Sequence, residues 1–179
     1  MKKSVIGIVD SQANAERIVD EVQRAGVAPG DISVLMPDKS GTRDFAHEHH
    51  TKAPEGAVAG AGAGGVIGGT IGLLAGIGAL AIPGVGPLIA AGPLLAALSG
   101  AAAGATVGGV AGALIGLGIP ELEAKTYEGK LKSGNILVAV HVENDDVAKR
   151  VKNIFQQQQA HDVSVTGESS VPKEKSLAH

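Results

Sequence analysis

The sequence predicts an α+β protein, a ferredoxin-like βαβ-αβαβ sandwich interrupted by an inserted glycine-zipper α-helical hairpin. Three observations support this fold class. Hydrophobic patterns at the two ends of the 179-residue chain predict a βαβ unit and, later, an αβαβ unit. A run of 65 uncharged residues separates them. Within that run glycines recur at intervals of four residues, a spacing typical of closely packed helices.

These patterns divide the chain into five parts. We expect the first half of the α/β domain over residues 1–37, a linker over 38–55 and the apolar hairpin over 56–118. The second half of the domain follows over 119–167 and a disordered tail over 168–179. Neither half could bury its sheet face alone. We therefore expect a discontinuous domain whose insertion leaves and returns at one edge.

The first half reads as strand, helix, strand. Ser4–Val9 is a short β-rich run, and Asp10 or Ser11 can cap the helix that follows. Gly26 is placed to end that helix, and Ile32–Met36 is the second strand. The apolar stripe of the helix comprises Ala15, Ile18, Val19 and Val22.

The second half begins with a helix from Pro120 to just before Gly134. Acidic residues lie in its first turn and basic residues in its last, which complements the helix dipole. Two favourable i,i+4 pairs are predicted, Glu121–Lys125 and Glu128–Lys132. We expect Glu121, Glu123 and Glu128 to form a solvated helix face.

A strand, a helix and a last strand follow. Asn135–Val142 alternates, Asn144 can cap the helix, and Asp162–Thr166 is the final strand. His141 is interpreted as a satisfied histidine at the edge of the core. One face of the first strand carries Ile136, Val138, Val140 and Val142, and the helix carries the stripe Val147, Val151, Ile154 and Phe155.

The predicted helix-packing residues form two glycine rows. The first row is Gly56, Gly60, Gly64, Gly68, Gly72 and Gly76, and the second is Gly100, Gly104, Gly108, Gly112 and Gly116. They predict helical arms over about 57–81 and 93–118, folded back at the prolines between them. An arm of some 25 residues would be about 37 Å long, enough for a bilayer core of about 30 Å.

Glycine in a helix costs about 1 kcal/mol relative to alanine, so such arms need close packing or a lipid environment. A row stepping by four drifts about 40° per step around the helix. Gly62, Gly65, Gly69, Gly72 and Gly76 form a further small-residue face on the first arm. Two such faces predict contact with a sister arm and with another subunit, and hence a homo-oligomer.

The composition excludes several kinds of function. A net charge of −3 and the lack of a Lys/Arg cluster argue against nucleic-acid binding, and the absence of cysteine excludes thiol chemistry. No catalytic constellation is recognisable, so we predict no enzyme and no cofactor. The glycines at 60–65 match G-x-G-x-x-G, but no strand precedes them and no acid follows at the required distance.

One cluster of candidate metal ligands occurs. His47, His49 and His50 lie beside Asp44 and Glu48, and imidazole with carboxylate suits zinc and other transition metals. No further histidine or cysteine has diagnostic spacing. A solvated or packing role is favoured over metal binding or pH sensing.

The order of elements resembles bacterial general-stress (heat-induced stress) domain proteins with a glycine-zipper insert. The similar stretches are Val5–Asp10, Asp31–Leu35, Asp44–Glu48, Lys52–Gly56 and Gly118–Glu121. A small membrane subunit of the bacterial alternative complex III is similar in order, but its hairpin is aromatic-rich and more hydrophobic. The resemblance implies the fold and a stress association, and it implies no site residues.

We therefore expect a non-enzymatic stress protein that self-assembles through the hairpin. The predicted location is cytoplasmic, associated with or inserted in the inner membrane, with both termini cytoplasmic. The alternative is a soluble homo-oligomeric ring, shell or filament with the hairpins as its core. A small-molecule-binding module or enzyme has only the sandwich fold in its favour.

Overall fold

The computed structural model describes residues 3–38, 77–82, 86–95, 98, 109–116 and 118–167. Its elements are β1 (Lys3–Val9), α1 (Gln12–Arg24), a 3₁₀ turn (Pro29–Asp31), β2 (Ile32–Pro37), β3 (Ile77–Ile82), β4 (Gly86–Ala91), α2 (Gly109–Gly116), α3 (Glu121–Lys132), β5 (Ile136–Val142), α4 (Asp145–Gln157) and β6 (His161–Gly167). Residues 93–95 and 98 are also helical. The predicted α+β class is confirmed.

The strands form one six-stranded sheet in the order β3-β4-β2-β5-β1-β6. Every neighbouring pair is antiparallel. The strands of the two halves of the domain are intermixed, since β5 of the second half pairs with both β1 and β2 of the first. The two ends of the chain therefore contribute to one sheet.

The first half folds as its local signals indicate. The Ser11 side chain caps α1 by accepting a hydrogen bond from the Asn14 amide at 3.2 Å. The apolar stripe of α1 is fully buried. Gly26 follows the helix with a φ of +96°, a conformation that glycine adopts at little cost.

Most local predictions for the second half are also confirmed. Asn144 caps α4 by accepting from the Val147 amide at 2.9 Å, and Gly134 follows α3 with a φ of +96°. The i,i+4 pairs of α3 are present, with N–O distances of 2.6 Å for Glu121–Lys125 and 3.0 Å for Glu128–Lys132. His141 is half-buried, and its Nδ1 lies 2.9 Å from the Ser4 hydroxyl.

Helices α1 and α4 cover one face of the sheet. Alternate residues of β1, β2 and β5 point into this first core together with the apolar stripes of both helices. Phe155 packs directly on Gly7 of β1. A Cβ at Gly7 would be only 2.7 Å from the Phe155 ring. The full burial of Phe155 contributes about 1.5–3 kcal/mol.

The second face is covered by α2, α3 and the turn after β4. The intervening residues of the same strands, such as Ile6 and Leu35, form this second core. Large side chains from the predicted hairpin complete it: Leu88, Leu94, Leu98, Val110 and Leu114. Part of the predicted insertion is therefore core of the α/β domain.

The helical prediction is wrong at the end of the first arm. Ile77–Ile82 is strand β3 and Gly86–Ala91 is strand β4, so the proline-containing segment joins strands and not helices. The edge of β2 explains this outcome, because β4 satisfies that edge with antiparallel pairs from Val34 to Pro37. The first glycine row ends at Gly76, one residue before β3 begins.

The second arm is not one continuous helix. Gly109 has a φ of +73°, so a right-handed helix cannot pass through it, and α2 has only eight residues. In the part of the chain that the structure describes, no helix is both long and apolar enough to cross a membrane. The remainder of both predicted arms, the linker after Asp38 and the predicted tail from residue 168 lie outside the described residues.

Candidate functional site

The two places where the glycine-rich segments join the α/β domain form the candidate site. These segments, residues 56–76 and 99–108, lie outside the described residues. The first junction consists of Ile77, which pairs directly with Ala91 across β3 and β4, and of the chain after Ala91. The second junction is α2. The antiparallel register therefore brings the end of the first segment beside the chain that leads to the second.

The first junction depends on Gly92. Its φ is +77°, and a Cβ there would overlap the backbone carbonyl oxygen of Ile32 on β2. Only glycine allows this approach. Ser33 is fully buried beside it and accepts a hydrogen bond from the Leu94 amide at 3.2 Å. The contacts of Gly92 and Ser33 fix the direction in which the chain leaves the sheet, and Leu94 packs into the second core.

The second junction depends on Glu128 of α3. One carboxylate oxygen accepts a hydrogen bond from the Ala111 amide at 2.8 Å, and the other lies 3.0 Å from Lys132. Burial raises the pKa of Glu128, but the Ala111 amide and Lys132 outweigh burial and hold the pKa below its ordinary value. The carboxylate thus occupies the start of α2, where helix dipoles favour negative charge.

Helix α2 has one face toward the domain and one away from it. Val110, Ala113 and Leu114 are buried in the second core. On the opposite side, at helical spacing, Gly112 is half-buried and both Ile115 and Gly116 are exposed. A Cβ at Gly116 would meet no atom within 4 Å. The last two members of the second glycine row therefore face away from the domain.

Helix α3 is also held to the edge strand β6. Tyr127 is buried, and its hydroxyl donates to the Asp162 carbonyl at 2.8 Å. Burial raises the pKa of the tyrosine hydroxyl. Ser164 donates to Glu123 at 2.8 Å. These contacts fix the position of α3, against which α2 packs.

Only two of the predicted helix-packing glycines, Gly112 and Gly116, fall in the described structure. The other members of the two rows, from Gly56 to Gly76 and from Gly100 to Gly108, lie outside it. The candidate ligands His47, His49 and His50 lie outside it as well. Among the described residues, no group of three or more His, Cys, Asp or Glu side chains could hold a metal ion.

Sequence reasoning missed the second junction. Glu123 and Glu128 were expected on a solvated face, but Glu123 binds Ser164 and Glu128 binds the start of α2. No local pattern links Glu128 to a residue 17 positions earlier. Ser33 did carry a signal, because a hydroxyl inside an apolar strand needs a hydrogen-bond partner when buried.

In comparisons with known proteins, no family matches the chain, and no curated protein or solved structure is significantly similar to it. At each junction a polar side chain accepts a hydrogen bond from a backbone amide, Ser33 from Leu94 and Glu128 from Ala111. These hydrogen bonds hold the helical turn and α2 in place.

Proposed function

We propose that this chain is a non-enzymatic protein that self-assembles through its glycine-rich insert, held by a ferredoxin-like domain. The order β2-β5-β1-β6, with α1 and α4 on one face, supports the ferredoxin-like interpretation. A role in stress rests on the resemblance to stress-domain proteins alone.

One observation carries the proposal. Helix α2 is docked on the domain by Leu114 and Glu128, and it presents Gly112 and Gly116 on its outer side. Rows of small residues let helix backbones approach closely. A rigidly held helix with its glycines directed outward is suited to receive another helix.

The lengths of the segments favour assembly over a two-armed membrane hairpin. Leu98 and Val110 are both buried in the second core. The stretch 99–108 between them has ten residues, which as a helix would reach about 15 Å, half of a bilayer core. The first segment, residues 56–76, retains enough length for membrane association, which stays the second candidate.

Size determination with and without detergent tests the proposal. We expect a homo-oligomer by light scattering, and Gly116→Leu should reduce its size, because a large side chain blocks close approach of a second helix. The matched control is Gly129→Leu, since Gly129 is also an exposed helical glycine at which a Cβ would meet no atom within 4 Å. An assembly unchanged by Gly116→Leu would contradict the proposal.

Detergent separates the two settings. A large particle that persists in the high-speed supernatant without detergent supports the assembly in water. A protein that sediments with membranes and is released only by detergent supports the membrane setting.

A further inference from the structure

The outer edge of β6 carries a second inference that is independent of the glycine-rich insert. Among the described residues, β6 is the last strand on its side of the sheet and pairs only with β1. The pairing is regular from Ser164 to Gly167. A bulge opposite β1 precedes this stretch, and Asp162 there has a φ of +50°.

Edge strands usually carry a charge, a proline or a bulge that prevents pairing with another chain. The bulge at Asp162 protects only the start of β6. From Val163 to Gly167 the strand has no charged residue and no proline. Val165 is 39% exposed, and it is one of three large hydrophobic side chains exposed in the described structure. In the part of the chain that the structure describes, this half of the edge is open to strand addition.

We infer that the occupant is a second copy of this chain, whose β6 pairs antiparallel about a two-fold axis at Val165. In that register Val165 lies opposite Val165 of the second copy, on the face covered by α4. Ser164 lies opposite Thr166 of the second copy on the other face. Apolar and Ser/Thr cross-strand pairs are both favourable, and no like charges meet among residues 163–167.

Self-complementarity is the reason for choosing a second copy. A two-fold interface is isologous and closes after two chains. The pair would join two six-stranded sheets into one, with α4 of each copy on the same side. Pairing of β6 with β3 of another copy would be heterologous, and it would extend the sheet without closing it.

Cysteine scanning tests this register directly, because the chain has no cysteine of its own. Residues directly opposite in antiparallel strands have Cα atoms about 4.5–5.5 Å apart, within the range of a disulfide. Val165→Cys should therefore give most of the protein as a disulfide-linked dimer under mild oxidation. Val163→Cys and Gly167→Cys place the two thiols about 13 Å apart along the strands and should not.

A second pair of variants measures the interface without cross-linking. Val165→Lys should reduce the sedimentation coefficient because it places two like charges opposite each other, and Val165→Thr should preserve it. Circular dichroism confirms that each variant is folded.

Equal cross-linking at all three positions, or none at Val165→Cys in folded protein, overturns the β6 interface. This result is separate from that of the insert. Assembly that is sensitive to Gly116→Leu, together with no cross-link in the Val165→Cys variant, supports the proposed function and removes only the edge pairing.

Discussion

Gly92 connects β4 to the helical turn of residues 93–95. Its backbone conformation is unfavourable for every residue other than glycine. Its positive φ and its contact with the Ile32 carbonyl are two independent constraints on the same position. The amino-acid sequence alone does not distinguish this glycine from its many neighbours. Its importance follows from the close approach of two strands that are far apart in the chain.

Replacing Gly92 with alanine should destabilise the protein by about 2–4 kcal/mol, through backbone strain and displacement of β2. Urea unfolding measures this. The control is Gly129→Ala in α3, which should stabilise by roughly 0.5–1 kcal/mol because its surroundings are open. Equal stabilities of the two variants would contradict the geometry of the first junction.

Glu128 and Glu121 show how two carboxylates in one helix differ. Each pairs with a lysine four residues later, but only Glu128 also binds the backbone of α2. The contact with Ala111 is therefore the reason that Glu128 matters to the tertiary structure. Exposed pairs such as Glu121–Lys125 contribute little.

Glu128→Gln should reduce the free energy of unfolding at neutral pH by about 1 kcal/mol, through loss of a charge-assisted hydrogen bond. The folded-state pKa of Glu128 lies below the ordinary value of 4.5. Its stabilisation is therefore fully present above about pH 4.5 and is lost as the pH falls through the folded-state pKa. The variant should show a flatter acid limb in a stability–pH profile.

The matched control for this experiment is Glu121→Gln, which should leave the stability nearly unchanged. Glu121 is exposed, and solvent screens its interaction with Lys125. If both variants have the same acid limb, the contact between Glu128 and α2 does not contribute to folding.

At the scale of the element, α2 is a short helix defined by its two faces. Glycines with positive φ flank it, since Gly109 is its first residue and Gly118 lies two residues after its last. Leu114 is fully buried, whereas the next residue, Ile115, is 43% exposed. The apolar composition of the segment conceals this difference, since both faces are made of Gly, Ala, Val, Ile and Leu.

Leu114→Ala should therefore cost about 2–5 kcal/mol, and Ile115→Ala should change the stability by less than about 0.5 kcal/mol. Chemical denaturation of the two variants is the measurement. Light scattering on the same samples reports whether Ile115 contributes to assembly. A large destabilisation by Ile115→Ala, or a small one by Leu114→Ala, would show that α2 is oriented differently.

The whole molecule has two cores on one sheet. Successive residues of β1, such as Val5 and Ile6, point into different cores, so the same strands support both. The second core holds the single tyrosine, Tyr127, and the chain has no tryptophan. Tyrosine fluorescence consequently reports on the α3 side alone, whereas circular dichroism reports on all elements.

We expect the two signals to change together in urea, because neither core can be lost without the shared strands. Phe155→Leu, on the opposite face from Tyr127, should lower both midpoints equally, at a cost of about 1 kcal/mol. A shift seen by circular dichroism but not by tyrosine fluorescence would mean that the two faces unfold separately.

Much of the α/β domain was predictable because its signals are local. The capping residues Ser11 and Asn144, the glycines that end α1 and α3, and the alternation of β5 each depend on a few neighbouring residues. The candidate site was less accessible. Its key contacts, of Gly92 with β2 and of Glu128 with α2, join residues that no local pattern connects.

The sequence by itself determined the two halves of the domain, their caps and the positions of the glycine rows. Only the tertiary structure decided that Ile77–Ile82 and Gly86–Ala91 pair as antiparallel strands and that α2 belongs to the domain core. The glycine spacing favoured helices throughout. However, the backbone groups at the edge of β2 needed hydrogen-bond partners, and the apolar side chains on the second face of the sheet needed to be buried. Strand pairing and burial between distant segments outweighed the local helical pattern at these places.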